Sequence, residues 1–308
     1  MTPVALTRCG SYTQPELDAS IARVLGAVAL PNLRAAHVLL KPNLISAKHG
    51  PLACTEGAFI LAVARWLLAQ GARVSIGDSP AFGTAAMALR MLGIADELAA
   101  CGVASTNFSS GRKLRLPNGG SAVLAEAALD CDLLVNLPRV KAHAQTRVTL
   151  AVKNCFGCVV GLRKSWWHMR HGGPQGDFSD RLAQLPALLP PILTVLDGVT
   201  AMHMTGPLRG EPYPLGLVGA ANTPVAMDAA LHEIIALAPE RSPVMAACRR
   251  ADMPGARLEQ LSFPLAAPAE LRTAGFVVPD ELNPIRFSFF RYLKSTVYRL
   301  RLQRRGPL

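Results

Sequence analysis

The sequence predicts an α/β fold, with a mainly parallel sheet built from βαβ units in one compact body or two lobes, and a basic amphipathic C-terminal tail. Two patterns predict this fold. Short apolar runs of strand length alternate with longer segments whose apolar residues recur at helical spacing. Such alternation is typical of parallel strands joined by crossover helices. We assign residues 1–240 to the α/β domain and residues 241–308 to a C-terminal extension that includes the tail.

The first hundred residues alternate regularly between strands and helices. The predicted strands are 4–7, 37–40 and 73–76, and the predicted helices are 14–30, 55–69 and 84–100. The first helix has apolar residues at helical spacing from Leu17 to Val28. Thr55 is expected to cap the second helix, which has Glu56 in its first turn and Gly71 just past its end. This part of the chain therefore reads as three strand and helix pairs.

Beyond residue 100 the pattern is less regular. Residues 114–129 are expected to form a hairpin, because Pro117-Asn118-Gly119-Gly120 has the composition of a tight turn. The remaining predicted strands are 132–137, 192–196 and 215–221, and the remaining predicted helices are 180–189 and one that begins at Thr223. Pro224 occupies the first turn of that last helix, where proline is well tolerated. From Arg241 onward the sequence becomes less periodic.

The composition indicates a folded protein whose positive charge is concentrated in two stretches. Hydrophobic residues make up 50% of the chain and charged residues 17%, which allows a large core and argues against global disorder. The net charge is +11, but residues 284–308 hold seven basic side chains and no acidic one. Because aromatic and aliphatic residues alternate with these arginines, we expect the tail to contact an anionic membrane surface or an acidic protein partner. Nucleic acid is not expected, since no recognised nucleic-acid module accompanies the charge.

The chain is expected to be cytoplasmic, either free or held peripherally at a membrane. No apolar run reaches the roughly 18 residues needed to span a bilayer. The N-terminal residues lack the charged and apolar regions of a signal peptide. The 7 cysteines are scattered and odd in number, which favours a reducing compartment over a disulfide framework.

The stretch from Asn136 to His171 is the predicted centre of a functional site. Between Leu133 and Gly176 the chain carries many lysines, arginines and histidines but no Asp or Glu. The stretch follows the strand at 132–137 directly, and α/β sheets bind ligands beyond the carboxyl ends of their strands. This charge balance favours a small anionic substrate or cofactor that bears a carboxylate or a phosphate.

Ten residues at strand ends and in the central stretch are predicted to line this site. The candidate catalytic residues are Lys141, His143, Lys153 and His168, and the candidate substrate-binding residues are Lys41, Asn43, Asp78, Asn136, Asn154 and Lys164. Lysines near other cations have lowered pKa values and can act as bases or covalent anchors. Histidines exchange protons near neutral pH. The alternative for each residue is structural, such as a solvated lysine or an aspartate that caps a turn.

A metal ion is a further candidate ligand. Cys155-Phe156-Gly157-Cys158 has the CxxC spacing of zinc knuckles and redox pairs. With His168, the two cysteines form a predicted set of ligands for nickel, iron or zinc. The sequence has no second CxxC, so the alternative is that both thiols pack in the core as small hydrophobic groups.

Several common catalytic motifs are missing from the sequence. It has no GxGxxG after the first strand, no GxxxxGK[ST], no GxSxG and no HExxH. Their absence argues against a conventional nucleotide site, a serine hydrolase elbow and a zincin. We therefore expect a less common chemistry.

Several of these motifs together resemble one known family. The matching segments are KPNL at 41–44, GDSP at 77–80, NLPRVKAHAQTRVTLAVKNCFGCVVG at 136–161, Lys164 with His168, and NTPVAMDA at 222–229. They resemble the prokaryotic family catalogued as domain of unknown function 362, over roughly residues 35–240. Many members of that family carry ferredoxin-type cysteine repeats and are labelled iron-sulfur proteins. This chain lacks the CxxCxxCxxxC run, so a cluster of that type is not expected here.

The segment from Lys153 to His168 is also distantly similar to the nickel-pincer lactate racemase family. In that family a lysine holds the cofactor and a histidine binds nickel. The resemblance implies that Lys153 or Lys164 is the anchor and that His168 is the metal ligand.

The sequence as a whole predicts an enzyme that binds a small anion and performs proton transfer or redox chemistry, with or without a metal. An isomerase, a racemase or an oxidoreductase would fit this description. The alternative is a non-catalytic assembly protein that carries a cofactor, a metal or a lipid and docks through its basic tail.

Overall fold

A computed structural model describes residues 1–45, 50–81, 83–161, 163–172 and 176–283. The strands are β1 (Thr2–Arg8), β2 (His37–Pro42), β3 (Arg73–Asp78), β4 (Ala104–Asn107), β5 (Gly111–Arg115), β6 (Ser121–Ala125), β7 (Leu133–Leu137), β8 (Arg139–His143), β9 (Arg147–Thr149), β10 (Ile192–His203), β11 (Glu211–Ala221) and β12 (Leu261–Ser262). The predicted basic tail at 284–308 lies outside the described residues.

Helices flank these strands. They are α1 (Gln14–Gly26), α2 (Gly57–Ala69), α3 (Ala85–Met91), α4 (Ala95–Ala100), α5 (Glu126–Leu129), α6 (Ala151–Asn154), α7 (Arg163–His171), α8 (Phe178–Gln184), α9 (Pro224–Ile234) and α10 (Pro243–Arg250). Among the described residues, no helix is long and apolar enough to cross a membrane.

The fold is mixed α/β, and its large sheet is mainly parallel at the centre, as predicted. Its strand order is β12-β1-β11-β10-β7-β2-β3-β4. The run β10-β7-β2-β3-β4 is parallel, whereas β11 is antiparallel to both β10 and β1. β8 leaves the end of β7, pairs with β10 and forms a small hairpin with β9.

The central strands are buried on both faces. On β2, Leu39 packs into one hydrophobic cluster, and its neighbours Val38 and Leu40 pack into the other. Leu134 and Val135 on β7 divide between the clusters in the same way. Alternate side chains of a strand point to opposite faces of a sheet. The continuous apolar runs in the sequence therefore correspond to strands covered by other elements on both faces.

Several predicted boundaries change in the structure. Helix α1 ends at Gly26 instead of 30, and the segment 84–100 splits into α3 and α4 around Gly93, which has φ +73°. The helix expected at 180–189 starts earlier, at Phe178, and becomes a 3-10 turn at Leu185–Leu188. The β5 and β6 pair confirms the hairpin around residues 117–120.

The prediction that Thr55 caps α2 is wrong. The N-cap position is Glu56, one residue later. The Thr55 hydroxyl instead donates to the carbonyl of Leu137 at 2.7 Å and accepts from the amide of Asn43 at 2.8 Å. Two backbone groups at the ends of β2 and β7 compete successfully for this side chain, because both are buried and need partners.

Candidate functional site

The predicted site lies where the order of the parallel strands reverses. Strand β2 lies between β3 and β7, and Lys41 on β2 is directly opposite Asn136 on β7. Successive strands β2, β3 and β4 run to one side, and the chain then returns to the other side of β2 as β7. Because the carboxyl ends of these strands lie side by side at the same edge of the sheet, Lys41, Asp78 and Asn136 come together although they are far apart in the chain, and all three are buried. Open α/β sheets usually bind ligands at the carboxyl ends of strands where the strand order reverses in this way.

Lys41 and Asp78 form a buried ion pair at the ends of β2 and β3. The Lys41 Nζ lies 3.0 Å from the Asp78 Oδ1 and donates to the Pro42 carbonyl at 2.6 Å. The other Asp78 oxygen accepts from the Leu44 amide at 2.8 Å, and Oδ1 also accepts from Ser79 at 2.7 Å. Both charges are therefore balanced inside the protein. The pair fixes the loops after the two strands.

Gly157 packs directly onto this ion pair. A Cβ at that position would lie 2.3 Å from the Lys41 Nζ and 2.5 Å from the Asp78 Oδ1. A side chain there would collide with both partners, so the 3-10 turn Cys155–Cys158 can approach the strand ends only with glycine in its third position.

The three candidate asparagines form one hydrogen-bonded chain beneath α6. The Asn43 Nδ2 donates to the Asn154 Oδ1 at 2.8 Å, and the Asn154 Nδ2 donates to the Asn136 Oδ1 at 2.8 Å. The Asn136 Nδ2 in turn donates to the Ala151 carbonyl at 3.0 Å. These bonds hold α6 against the ends of β2 and β7, and α6 carries Lys153.

The start of α6 is held by Asp228 from the neighbouring helix α9. One carboxylate oxygen accepts from the Ala151 amide at 2.7 Å and the other from the Val152 amide at 3.1 Å. Asp228 is buried, and burial raises its pKa to about 7, while the two backbone hydrogen bonds act in the opposite direction. The carboxylate therefore positions the short helix on which Lys153 and Asn154 lie.

Burial lowers the pKa of both Lys141 and Lys153. The Lys141 Nζ donates to the Asn43 Oδ1 at 2.6 Å and to the Ala53 carbonyl at 2.7 Å, and its pKa falls to about 7. Burial lowers the pKa of Lys153 to about 8. Among the described residues, the Lys153 ammonium makes no hydrogen bond or ion pair, and it lies 6.0 Å from the centre of the Phe156 ring.

His143 and His168 lie close to Lys153 and are both neutral at physiological pH. Burial and the nearby Lys153 hold the pKa of His143 well below its usual range. The same two causes, with Lys164 in addition, lower the pKa of His168 to about 3. The site thus combines a lysine ammonium with two uncharged imidazoles.

Gln145 sets the tautomers of these two histidines. The His143 Nδ1 accepts from the backbone amides of Gln145 at 3.0 Å and Thr146 at 3.3 Å, which places the ring proton on Nε2. The His168 Nδ1 lies 2.7 Å from the Gln145 Oε1, so Nδ1 donates and Nε2 is left unprotonated. One imidazole can donate through Nε2, and the other can accept. Sequence reasoning missed Gln145, whose position two residues after His143 was the available signal.

Lys164 reaches the site from α7. Its ammonium donates to the backbone carbonyl of Ser79, in the loop after β3. This bond joins α7 to the loop after β3, and the Lys164 charge, like that of Lys153, acts on His168.

Cys155 and Cys158 lie in the hydrophobic core on the 3-10 turn after α6. Both are fully buried, and the Cys155 thiol donates to the Ala151 carbonyl at 3.6 Å. Burial raises the pKa of Cys155 well above its usual value and that of Cys158 to about 12, so both are thiols at neutral pH. Within residues 1–45, 50–81, 83–161, 163–172 and 176–283, no group of three or more His, Cys, Asp or Glu is placed to hold a metal. Their predicted role as metal ligands with His168 stays a prediction.

Two arginines of the central stretch serve the fold instead. Arg139 is buried, and its guanidinium contacts Glu56 at 3.2 Å, Asp197 at 3.8 Å and the Tyr12 hydroxyl at 3.3 Å. Arg147 donates to the backbone carbonyls of residues 241, 279 and 280 and so ties the later chain to β9. Much of the positive charge near the site is therefore balanced, which makes Lys153 stand out.

The comparisons with known proteins agree with the sequence motifs. A family model described as "Domain of unknown function (DUF362)" matches residues 38–233. A thylakoid-associated protein from Synechocystis sp. is 36% identical over 301 residues, which covers 95% of this chain and 92% of that protein.

Two solved structures show a more distant likeness. The lactate racemase apoprotein from Thermoanaerobacterium thermosaccharolyticum has a TM-score of 0.42 and 14% identity, over 62% of this chain and 50% of its own. A structural genomics protein from Thermotoga maritima has a TM-score of 0.44 and 9% identity, over 70% of this chain and 57% of its own. The match thus spans about half the length of each of these two structures. Because the family model covers well over half of the sequence, the chain belongs to the domain of unknown function (DUF362) family.

Proposed function

We propose that the residues around Lys153 bind a small carboxylate or phosphate compound and catalyse proton transfer at a carbon next to that anionic group. The observation that carries the proposal is the Lys153 ammonium, which has no hydrogen bond or ion pair among the described residues. Lys153 is half-buried, and an ammonium that is partly removed from water gains from an anionic partner. A bound anion would supply the missing partner.

The two histidines have complementary roles in this proposal. The Nε2 of His168 accepts a hydrogen bond from the substrate, and the Nε2 proton of His143 hydrogen-bonds the oxygen on which charge develops. Lys141, whose pKa of about 7 suits a general base at neutral pH, takes the proton from carbon. Lys153 holds the anionic group. The Lys41 and Asp78 pair, with Asn43, Asn136 and Asn154, form the frame that keeps these groups in place.

Lys153 and His168 also fit a tightly held cofactor. A lysine with a pKa of about 8 keeps a substantial fraction of neutral amine near pH 8, so it can attach covalently to a carbonyl compound. The unprotonated His168 Nε2 is a nitrogen donor suited to nickel, iron or zinc. Such a cofactor would extend the chemistry to redox reactions.

Exchange of substrate hydrogen with solvent tests the proposed reaction. The protein is incubated in D2O with a panel of 2-hydroxy, 2-amino and 2-phospho carboxylates, and loss of the C2 proton signal is followed by NMR. We expect the wild-type protein to exchange the C2 proton of one substrate class with solvent. Both the Lys153→Met and the His168→Phe variants should lose this exchange. The exposed Lys113→Met is the matched control and should keep the activity. Equal exchange in the wild type and in the Lys153→Met variant would contradict the assignment.

Metal content and intact mass test the cofactor. Anaerobically purified protein is analysed for nickel, iron and zinc, and its mass is measured under native and denaturing conditions. A stoichiometric metal that is lost in His168→Phe, or an added mass that is retained on denaturation and lost in Lys153→Met, supports the cofactor. A metal-free chain of the calculated mass contradicts it.

A second candidate function is peripheral membrane association through residues 284–308. Two observations favour it: the basic and aromatic composition of that segment, and the name of the thylakoid-associated relative. Here the chain would be an assembly protein that docks on an anionic membrane or an acidic partner. Deletion of residues 284–308 should weaken vesicle binding and leave anion binding at Lys153 unchanged, whereas an unchanged vesicle affinity would contradict docking by the tail.

A further inference from the structure

Helix α7 has two faces of different character. The residues facing the protein are Trp167, which is buried, and Lys164, His168 and His171, which are half-buried. The opposite side carries Arg163, Ser165, Trp166, Met169 and Arg170, all of them exposed. This division follows the helical repeat, because positions three and four apart share a side.

The inward face is fully engaged with the protein. Trp167 lies 5.7 Å from the Phe156 ring, and His168 lies 4.6 Å from the Phe178 ring. The Lys164 ammonium is bonded to the Ser79 carbonyl. The orientation of α7 is therefore fixed, and so is the direction in which its outer side chains point.

The outward face combines two large apolar side chains with two cations. Trp166 is 48% exposed and Met169 is 47% exposed, which makes them the largest apolar groups left in water on this helix. Arg163 and Arg170 flank them, and α7 contains no acidic residue. The acidic side chain nearest along the chain, Asp177, is already engaged with His171 at 2.5 Å and with Arg181 at 2.7 Å.

We propose that this outward face of α7 seats the folded domain on an anionic lipid bilayer. Indole rings settle at the level of the lipid headgroups, methionine enters the acyl boundary, and arginines pair with headgroup phosphates. Charge complementarity favours an anionic lipid surface, because Arg163 and Arg170 border the apolar Trp166 and Met169. No acidic residue of α7 pairs with these two arginines. This face and residues 284–308 are different segments of the chain, and membrane contact here would place α7, which carries His168 on its inner side, next to the bilayer.

Fluorescence quenching tests this contact with the full-length protein. Vesicles of 70% phosphatidylcholine and 30% phosphatidylglycerol are prepared with and without brominated acyl chains, and tryptophan emission is compared. We expect quenching in the wild type that is lost in Trp166→Phe and kept in Trp66→Phe, a matched change at a half-buried tryptophan on α2. Quenching that persists in Trp166→Phe would overturn the proposal.

Affinity for the same vesicles provides the second measurement. The double variant Trp166→Ser with Met169→Ser should bind the vesicles roughly tenfold or more weakly, because it loses apolar burial. The double variant Arg163→Gln with Arg170→Gln should bind them roughly tenfold more weakly at low salt, because it loses attraction to the headgroup phosphates. Val277→Ser changes another exposed apolar residue and should have no effect. Circular dichroism checks that each variant is folded. Unchanged vesicle affinity in both double variants would overturn the proposal. Vesicle binding by the wild type without quenching would also overturn it, and is the result expected if this face binds an acidic protein.

Discussion

Removal of the Lys153 ammonium should abolish a specific pH dependence of anion binding. With a pKa of about 8, free Lys153 is about nine-tenths charged at pH 7 and about one-tenth charged at pH 9. A bound anion stabilises the charged form and raises this pKa. The affinity for an anion that keeps its charge over this range should therefore fall by about tenfold from pH 7 to pH 9.

Isothermal titration with sulfate and oxalate measures this effect, since both anions keep a constant charge between pH 7 and pH 9. Lys153→Met should bind more weakly at pH 7 and lose the tenfold decrease between pH 7 and pH 9. Lys141, with a pKa of about 7, is present in both proteins, and loss of the Lys153 charge should raise the Lys141 pKa and move its own titration to higher pH. Lys113→Met removes an exposed lysine and should behave like the wild type. If Lys153→Met and the wild type had parallel pH profiles, Lys153 would not be the anion partner.

Three further variants test the framework of the site. Gly157→Ala should lower the unfolding free energy measured in urea by about 1–3 kcal/mol, because the new Cβ collides with the Lys41 and Asp78 pair. Gly26→Ala is the control, since a Cβ there meets open space and should not lower the unfolding free energy. Equal stability of the two variants would refute the close approach of Gly157 to the ion pair. The pKa of Asp228 is raised from 3.8 to about 7, so between these values the unfolded chain releases a proton that the folded chain keeps. As the pH rises from 4 to 8, the unfolding free energy of the wild type should therefore fall by up to about 4 kcal/mol relative to that of Asp228→Asn. Parallel profiles of stability against pH would argue against this. Thr149→Val should stabilise the protein by about 1 kcal/mol and so raise its melting temperature, because the buried hydroxyl has no hydrogen-bond partner in the described part of the chain. A lower melting temperature would indicate that the hydroxyl makes a stabilising hydrogen bond.

The positions of the main elements could be predicted because they depend on local patterns. Apolar runs at 37–40, 73–76 and 132–137 became β2, β3 and β7, since a strand buried on both faces needs a continuous apolar sequence. The long pairing of β10 with β11 was missed. That pairing extends past Asp197 to His203 across a register shift, and the partner strand begins Glu211-Pro212-Tyr213-Pro214, whose prolines argue against a strand.

The sequence by itself determined the α/β class, the polar strand ends and the family, because residue periodicity and short motifs are properties of neighbouring positions. Only the tertiary structure decided which charges are balanced and which are not. Lys41 meets Asp78, Arg139 meets Glu56 and Asp197, and Asp228 meets the start of α6, each across a long stretch of chain. Lys153 is left without such a partner in the described part of the molecule, and no local pattern distinguishes it from the other lysines. Whether a buried charge is satisfied depends on groups brought together by folding, and so does the chemistry that the charge can support.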